Sequence, residues 1–259
     1  MTPPAPSFPR ISLVIPAWNE AAYLPRLLDT ADAARARYAG GTERVEVIVA
    51  DNGSTDVTAE IARARGCRVA PVEKRCIAAA RNGGAAAATG EVLCFCDADL
   101  RLHPETFNHV AAVMAQPDAV GGGTGLTMPR WSLGIRFVWA LIVFPLRAAG
   151  YEGGVWYCRR VDFAALRGYD EALRAAEDVE FMRRLKRLGK TRSPRQRLFT
   201  RRAAARRGIL PAMTLNSTRK WDLHGEWHVA RDVLALLPRL LRGRRAFDAY
   251  VQRYWYEGR

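Results

Sequence analysis

Short apolar runs alternate with amphipathic or alanine-rich stretches along the first hundred residues of the chain. The runs have the length and β-branched content of buried strands, and the stretches between them have helical spacing. The predicted strands are residues 11–17, 45–50, 68–72 and 91–96, and the predicted helices are 21–36, 55–65 and 78–88. Strands that alternate with helices join through right-handed crossovers into a parallel sheet. We therefore predict an α/β fold, with a Rossmann-like, mostly parallel sheet flanked by helices.

The second half of the chain is less regular. It contains predicted helices at 104–114, 175–188 and 229–241, and a glycine-rich strand at 120–128. An apolar segment at 135–146 is too short to span a bilayer, so we interpret it as a buried or interfacial helix. Neither a repeat nor a linker interrupts the pattern, so we predict one domain. We expect the proline-rich residues 1–9 to form a disordered lead-in and residues 223–259 to form a C-terminal helical tail.

Charge is concentrated in one part of the chain. The net charge is +14, and residues 181–221 contain fourteen Lys or Arg and no Asp or Glu. The remaining residues are balanced, so the whole excess lies in this stretch. Such a stretch is either a solvated surface or a site for an anion, namely a diphosphate, a lipid phosphate, a membrane or a nucleic acid. The start of the chain does not resemble a signal peptide and its five cysteines form no CxxC pair, so we expect free thiols and a cytoplasmic protein.

Acidic side chains follow three of the predicted strands. Glu20 follows the first strand, Asp51 the second, and Asp97 and Asp99 the fourth. Ligands of such sheets bind beyond the carboxyl ends of the strands, where a carboxylate can accept hydrogen bonds from a base or a ribose. Two carboxylates two positions apart require a counter-ion, and hard oxygen ligands select Mg²⁺ or Mn²⁺. The DxD motif at 97–99 is weak evidence for a metal site by itself, and it is stronger evidence here because it directly follows a predicted buried strand.

Four motifs in order make the chain resemble a known family. IPAWNE, ADNGSTD, ARNGGAAAATGEVLCFCDADL and AEDVEFMRRL are similar, in order and spacing, to the family 2 glycosyltransferases of GT-A fold, over roughly residues 10–222. The resemblance implies an inverting transfer from a nucleoside diphosphate sugar. It favours a UDP-sugar as the donor over a GDP-sugar. It divides the chain into a nucleotide-binding half, 10–128, and an acceptor half, 129–222.

The resemblance also implies roles for individual residues. Pro16, Ala17 and Glu20 would line the nucleoside pocket and Asp51 would hold the base. Asp97 would reach the ribose or the metal. Asp99 would bind the metal, which acts as a Lewis acid on the leaving diphosphate.

The segment Glu177-Asp178 opens a predicted helix. Composition alone leaves it equally open to a role in capping the helix and complementing its dipole. By the resemblance, Asp178 matches the catalytic base that deprotonates the acceptor hydroxyl, and Glu177 contacts the acceptor or orients the base.

Residues 217–221 depart from the family pattern. They read STRKW where a QxxRW motif is frequent, and Arg219 or Lys220 is a candidate to clamp the diphosphate. His224 and His228 follow at a spacing of four, which predicts one helix face. His224 is the stronger candidate for a third metal ligand, although a lone loop histidine usually binds no metal.

Two other classes of protein compete with a glycosyltransferase. A nucleotidylyltransferase would need a glycine-rich loop after the first strand, and WNEAAYLPR contains no glycine. A nucleic-acid-binding module would need a recognition motif, and none accompanies the basic stretch, so we expect no nucleic-acid partner. The acceptor stays open. The basic stretch and the apolar segment also leave room for peripheral contact with the inner face of a membrane.

Overall fold

The computed structural model describes residues 8–173, 176–228 and 231. Nine strands lie in this part of the chain: β1 Ile11–Ala17, β2 Val45–Asp51, β3 Arg68–Pro71, β4 Val92–Phe95, β5 Ala119–Gly123, β6 Leu126–Thr127, β7 Trp156–Arg159, β8 Arg197–Phe199 and β9 Thr214–Leu215. The α-helices of the same part are α1 Leu24–Ala36, α2 Thr58–Ala64, α3 Ile77–Ala86, α4 Thr106–Met114, α5 Leu133–Val138, α6 Phe144–Ala148, α7 Arg160–Ala165, α8 Glu177–Arg192, α9 Arg201–Ala205 and α10 Arg219–His224.

Seven strands form one sheet in the order β3-β2-β1-β4-β7-β5-β8. Strands β1 to β4 pair in parallel, and so do β5 and β8. Strand β7 lies antiparallel between β4 and β5. Strands β6 and β9 form a separate two-stranded parallel ribbon. The predicted fold class, a mostly parallel α/β sheet flanked by helices, is confirmed.

The two faces of the central strand β1 enter two separate cores. Ile11, Leu13 and Ile15 pack with α1 and α4 on one face of the sheet. Val14 packs with α3 and α8 on the other face. Gly84 permits this second contact, because a Cβ at that position would collide with Val14. A strand covered on both faces reads as a continuous apolar run, which is why β1 is visible in the sequence.

Several predicted boundaries move by a few residues, and loop chemistry explains the larger shifts. Helix α1 begins at Leu24 rather than at residue 21, with a proline in its first turn. The predicted strand 120–128 breaks into β5 and β6, and Gly125 between them has a φ of 87°. The predicted helix 175–188 is α8. The predicted helix 229–241 and nearly all of the predicted tail lie outside the described residues.

The apolar segment at 135–146 is helical, and of the two interpretations left open, buried or interfacial, the structure contradicts the buried one for every residue after Ile135. It forms a helical run of α5, a π-helical stretch Trp139–Val143, and α6. No residue from 136 to 149 is buried. No helix in the described part of the chain is long and apolar enough to cross a membrane.

Candidate active site at the carboxyl edge of the sheet

The carboxyl ends of β1, β2 and β4 meet at one edge of the sheet. The pairing register places Ala17, the last residue of β1, beside Asp51, the last residue of β2. Asp97 lies just beyond β4. The residue before it, Cys96, still bonds to the neighbouring strand β1, because its backbone N–H donates to the carbonyl of Val14. Pro16 and Ala17 are buried within β1 and present their backbone at this edge. The structure thus gathers the predicted strand-end residues where ligands of open α/β sheets bind.

Side-chain hydrogen bonds tie the loops after β1 and β2 into one rim. The Oδ1 atom of Asn19 accepts the N–H of Thr55 at 2.8 Å. The N–H of Glu20 donates to Oγ1 of Thr58, also at 2.8 Å. Asp51 Oδ1 accepts the N–H of Ser54 at 3.1 Å, which turns the chain directly after β2. These bonds fix the two loops against each other directly beside Asp51, the last residue of β2.

A buried arginine links the DxD loop to the start of α8. Arg81 projects from α3 and is only 4% exposed. One of its terminal nitrogens donates to Glu177 at 2.6 Å and the other to Asp97 at 2.9 Å. The guanidinium also lies against the ring of Tyr169, with Cζ 5.4 Å from the centroid. Two segments that are far apart in the sequence are therefore held together through one buried cation.

The electrostatics of this link follow from its burial. Burial by itself lowers the pKa of Arg81, but the surrounding carboxylates, Asp97 first, outweigh it and raise this pKa above its ordinary value. Burial raises the pKa of the Glu177 carboxyl, Arg81 opposes the shift, and the charge of Asp178 adds to it. Glu177 is buried against Arg81, whereas Asp178 is half-buried. Of the two acids, Asp178 is the more accessible to a ligand.

The start of α8 does not use these acids as caps. The N-cap position is Ala176, in a left-handed conformation with a φ of 57°, and it makes no capping bond through its side chain. Asp178 accepts the N–H of the next residue, Val179, at 2.7 Å. Glu177 and Asp178 still complement the helix dipole, because they lie in its first turn.

A cavity of about 290 Å³ adjoins the DxD loop. Its walls combine three guanidinium groups with two carboxylates and the backbone that leads into α10. The lining residues are Tyr23, Arg26, Asp99, Arg101, Pro129, Leu215, Asn216, Ser217, Thr218, Arg219, Asp222 and Leu223. Such a mixture suits an anion together with a cation.

Glu20 does not simply line the predicted pocket, because it forms an ion pair at the edge of this cavity. Its Oε2 atom lies 3.2 Å from a terminal nitrogen of Arg219, and Glu20 is only 3% exposed. The same guanidinium stacks over Tyr23, with Cζ 4.5 Å from the ring centroid. This contact joins residues 199 positions apart and fixes the direction of Arg219. Lys220 is half-buried on the same helix, α10.

The two histidines do not share a helix face as the sequence spacing suggested. Helix α10 ends at His224, and Gly225 follows with a φ of 84°. His228 lies beyond this turn, where its Nδ1 is 2.7 Å from the carbonyl oxygen of Gly225. The rings of His224 and His228 are nevertheless 5.7 Å apart. Across residues 8–173, 176–228 and 231, no three His, Cys, Asp or Glu side chains cluster to hold a metal, so Asp97, Asp99 and His224 are not gathered into one set.

Arg81 is the main residue of the site to which the sequence assigned no role. The signal was present, since Arg81 is the only charged residue in the helix IAAARNGGAA. A charge on a small, apolar helix must be exposed or paired, and this one is paired. Asn52 was missed too. Its side chain holds the loop after β3 by donating to the carbonyls of Val72 and Lys74 and accepting the N–H of Cys76.

Comparison with known proteins adds independent findings. Residues 12–134 match the family model "Glycosyl transferase family 2". Validoxylamine A glucosyltransferase from Streptomyces hygroscopicus subsp. jinggangensis is 37% identical over 116 residues, which are 42% of this chain and 26% of that protein. Glycosyltransferase AglE from Haloferax volcanii is 30% identical over 131 residues, or 48% of this chain and 42% of AglE. The chain thus matches between a quarter and less than half of the length of these relatives.

Solved structures show the same fold. The mannosyltransferase PcManGT from Pyrobaculum calidifontis, in complex with GDP-Man and Mn²⁺, superposes with a TM-score of 0.61. The match covers 97% of this chain and 71% of that one, at 20% identity. TarS from S. aureus in complex with UDP-GlcNAc has a TM-score of 0.51 and 22% identity, over 66% of this chain and 52% of that one. Residues 12–134 thus resemble glycosyltransferase family 2, and the sheet order and these neighbours show that the chain has the GT-A fold.

Proposed function

We propose that this protein is a metal-dependent, inverting glycosyltransferase that moves a sugar from a nucleoside diphosphate sugar to an acceptor hydroxyl or phosphate. The observation that carries the proposal is the carboxyl edge of the sheet, where Asp51 ends β2, Asp97 and Asp99 follow β4, and Arg81 connects Asp97 to α8. Named relatives that are glycosyltransferases support this class over a nucleotidylyltransferase or a nucleic-acid-binding module.

The donor diphosphate fits the cavity beside the DxD loop. Arg26, Arg101 and Arg219 bring three positive charges to its walls. Arg219 is held by Glu20 and Tyr23 before any ligand arrives, so little side-chain entropy is lost on binding. Asp51 remains the candidate for the nucleoside base. UDP is favoured over GDP, and neighbours of this fold bind each of them.

Changing Arg219 to methionine tests the diphosphate assignment. We expect the KM for the donor to rise about tenfold to a hundredfold, since a hydrogen bond to a charged group contributes about 1.5–3 kcal/mol. Steady-state kinetics at varied donor concentration measure the change. Arg202→Met removes an exposed arginine from α9 and should leave the KM unchanged. An unchanged KM in Arg219→Met would show that the diphosphate binds elsewhere.

The donor set at the DxD loop is compatible with Mn²⁺ or Mg²⁺. Asp99 lies on the cavity wall, and Asp97 keeps one carboxylate oxygen beyond the one that Arg81 contacts. Magnesium-like cations commonly use one or two protein carboxylates and take their other ligands from water and substrate phosphates, so no three-residue cluster is required. Asp99 would hold the cation, with Asp97 and His224 as further candidate ligands. When bound, the cation supplies Lewis-acid stabilisation of the departing diphosphate.

The base is assigned to the first turn of α8. Asp178 is the more accessible of the two acids there and would accept the proton of the acceptor as its oxygen attacks the sugar. Glu177 is committed to Arg81 and would orient the base rather than receive the proton. A single base and a good leaving group on opposite sides of the sugar are sufficient for inversion.

A donor screen by thermal shift tests the proposed function. We expect a UDP-sugar with Mn²⁺ to raise the melting temperature, because a ligand that binds only the folded state stabilises it. EDTA should remove most of the rise. Asp99→Asn should remove the metal-dependent part and keep the unliganded melting temperature. A screen of UDP- and GDP-sugars in which no donor stabilises the protein, or one in which EDTA has no effect, would contradict the proposal.

A further inference from the structure

The helical run from Leu133 to Ala148 presents a row of apolar side chains to solvent. Leu133 is 77% exposed and Phe144 62%, and between them Phe137, Leu141 and Ile142 are exposed, whereas Ile135 is buried. We call this row the apolar ridge, and its members are Leu133, Phe137, Leu141, Ile142 and Phe144. Exposed large apolar side chains that lie this close together in the chain indicate an interaction site.

The helical run that carries the ridge is anchored near its two ends. At its start, Gly134 packs so closely on the backbone of Glu226 that a Cβ would not fit. At its end, Arg147 forms an ion pair with buried Glu152 at 2.7 Å and donates to the carbonyl of Leu126 at 3.0 Å. Anchors at both ends position the ridge and leave its apolar side chains uncovered.

Tryptophan and arginine flank the ridge. Trp131 and Trp139 meet edge to face, with ring centroids 5.1 Å apart. With Arg136, Ala140 and Phe144 they line an open hollow of about 490 Å³. Tryptophan prefers the boundary between headgroups and acyl chains, and arginine reaches lipid phosphates from an apolar stem. From residue 131 to 151 the sequence contains no Asp or Glu.

A basic groove adjoins the far end of the ridge. It has a volume of about 530 Å³, and its basic lining residues are Lys186, Lys190, Arg195, Arg197 and Arg207. Its one carboxylate, Asp118, already pairs with Arg197 at 2.6 Å and Arg207 at 3.1 Å. The groove therefore carries a surplus of positive charge. It lies by the start of β5 and β8, away from the carboxyl edge of the sheet that holds the candidate active site.

Lys186 connects the two features. Its Nζ donates to the carbonyl of Ala149, directly after α6, at 3.1 Å. It also lies 5.6 Å from the ring centroid of Tyr151. The helical run that carries the apolar ridge and the basic groove are thus in contact through Lys186.

We propose that the apolar ridge and the basic groove together dock the protein on an anionic lipid bilayer. The ridge enters the boundary between headgroups and acyl chains, and the groove binds lipid phosphates beside it. An exposed apolar ridge without acidic residues from 131 to 151 fits a fluid, negatively charged surface, which supplies both apolar chains and phosphates. This docking is a property of the surface and does not depend on the proposed transfer reaction.

Sedimentation with vesicles tests the docking surface. We expect the full chain to pellet with vesicles of phosphatidylcholine and phosphatidylglycerol, less as salt rises, and little with phosphatidylcholine alone. Leu141→Glu and Phe144→Glu should each lower the partition coefficient on the order of tenfold, because a charge on the ridge opposes insertion. The double substitution Lys190→Glu and Arg195→Glu should lower it by a similar factor through lost attraction to anionic lipid.

Matched controls separate the surface from general effects of charge. Val161→Glu adds a charge at a comparably exposed apolar position on α7, and Arg63→Glu reverses an exposed charge on α2. Both should pellet like the wild type. Unchanged pelleting of the ridge variants, or equal binding of the wild type to neutral and anionic vesicles, would overturn the proposal. So would a lipid-free dimer that Leu141→Glu dissociates, since the ridge would then bind a second copy.

Discussion

Replacing Arg81 with methionine is expected to destabilise the protein by about 3–5 kcal/mol and to abolish measurable transfer. The substitution keeps the length of the side chain and removes its charge. Glu177, which is 8% exposed, would then be left buried without its partner. Asp97 would lose the contact that holds it beside α8. Chemical denaturation measures the stability, and release of nucleoside diphosphate measures the transfer.

Arg65 provides a matched control for this prediction. It also bridges two carboxylates, Asp29 at 2.9 Å and Asp32 at 2.7 Å, but both acids are at the surface. Exposed pairs of this kind contribute about 0–1 kcal/mol, so Arg65→Met should change stability little. If Arg81→Met were as stable as Arg65→Met, the buried bridge would not support the fold as argued. A stable and fully active Arg81→Met protein would remove Arg81 from the site.

The sequence predicts the sheet edge because local patterns determine it. A buried parallel strand must be apolar throughout, and the chain that leaves its carboxyl end reaches the ligand-binding edge. Asp51 and Asp97 were found in this way, and the pairing register places them where expected.

The contacts that assemble the site depend on parts of the chain that are far apart. Arg81 meets Glu177 across 96 positions, and Glu20 meets Arg219 across 199. No local pattern predicts such pairs. The insertion of β7 between β4 and β5 follows from the route of the chain through the second half, where the alternation of strand and helix ends.

The exposed helix at 133–148 shows a different limit of sequence patterns. Its sequence pattern correctly predicts a helix, but apolar composition does not say whether another part of the fold covers that helix. In a core helix another element provides the cover, whereas along this run no residue from 136 to 149 is buried. The fold excludes the buried interpretation for these residues, and the interfacial one stays a proposal.

Replacing Asp178 with asparagine should lower turnover about a hundredfold or more while donor binding persists. The two side chains are nearly the same size, so α8 keeps its place, but asparagine cannot accept the proton of the acceptor. Because the base acts on the acceptor, the thermal shift produced by donor and Mn²⁺ should match that of the wild type. Turnover at saturating donor and the melting temperature with donor are the two measurements.

Glu180 supplies the control that separates a base from a helix-dipole effect. Glu180 lies in the same first turn of α8 and pairs with Arg184 at 2.8 Å. Glu180→Gln and Asp178→Asn each remove one negative charge near the helix N-terminus, and each should cost about 0.3–1 kcal/mol of stability. Only Asp178→Asn should lose turnover. If turnover fell equally and only slightly in both variants, Asp178 would have a purely structural role, and another residue would have to be the catalytic base.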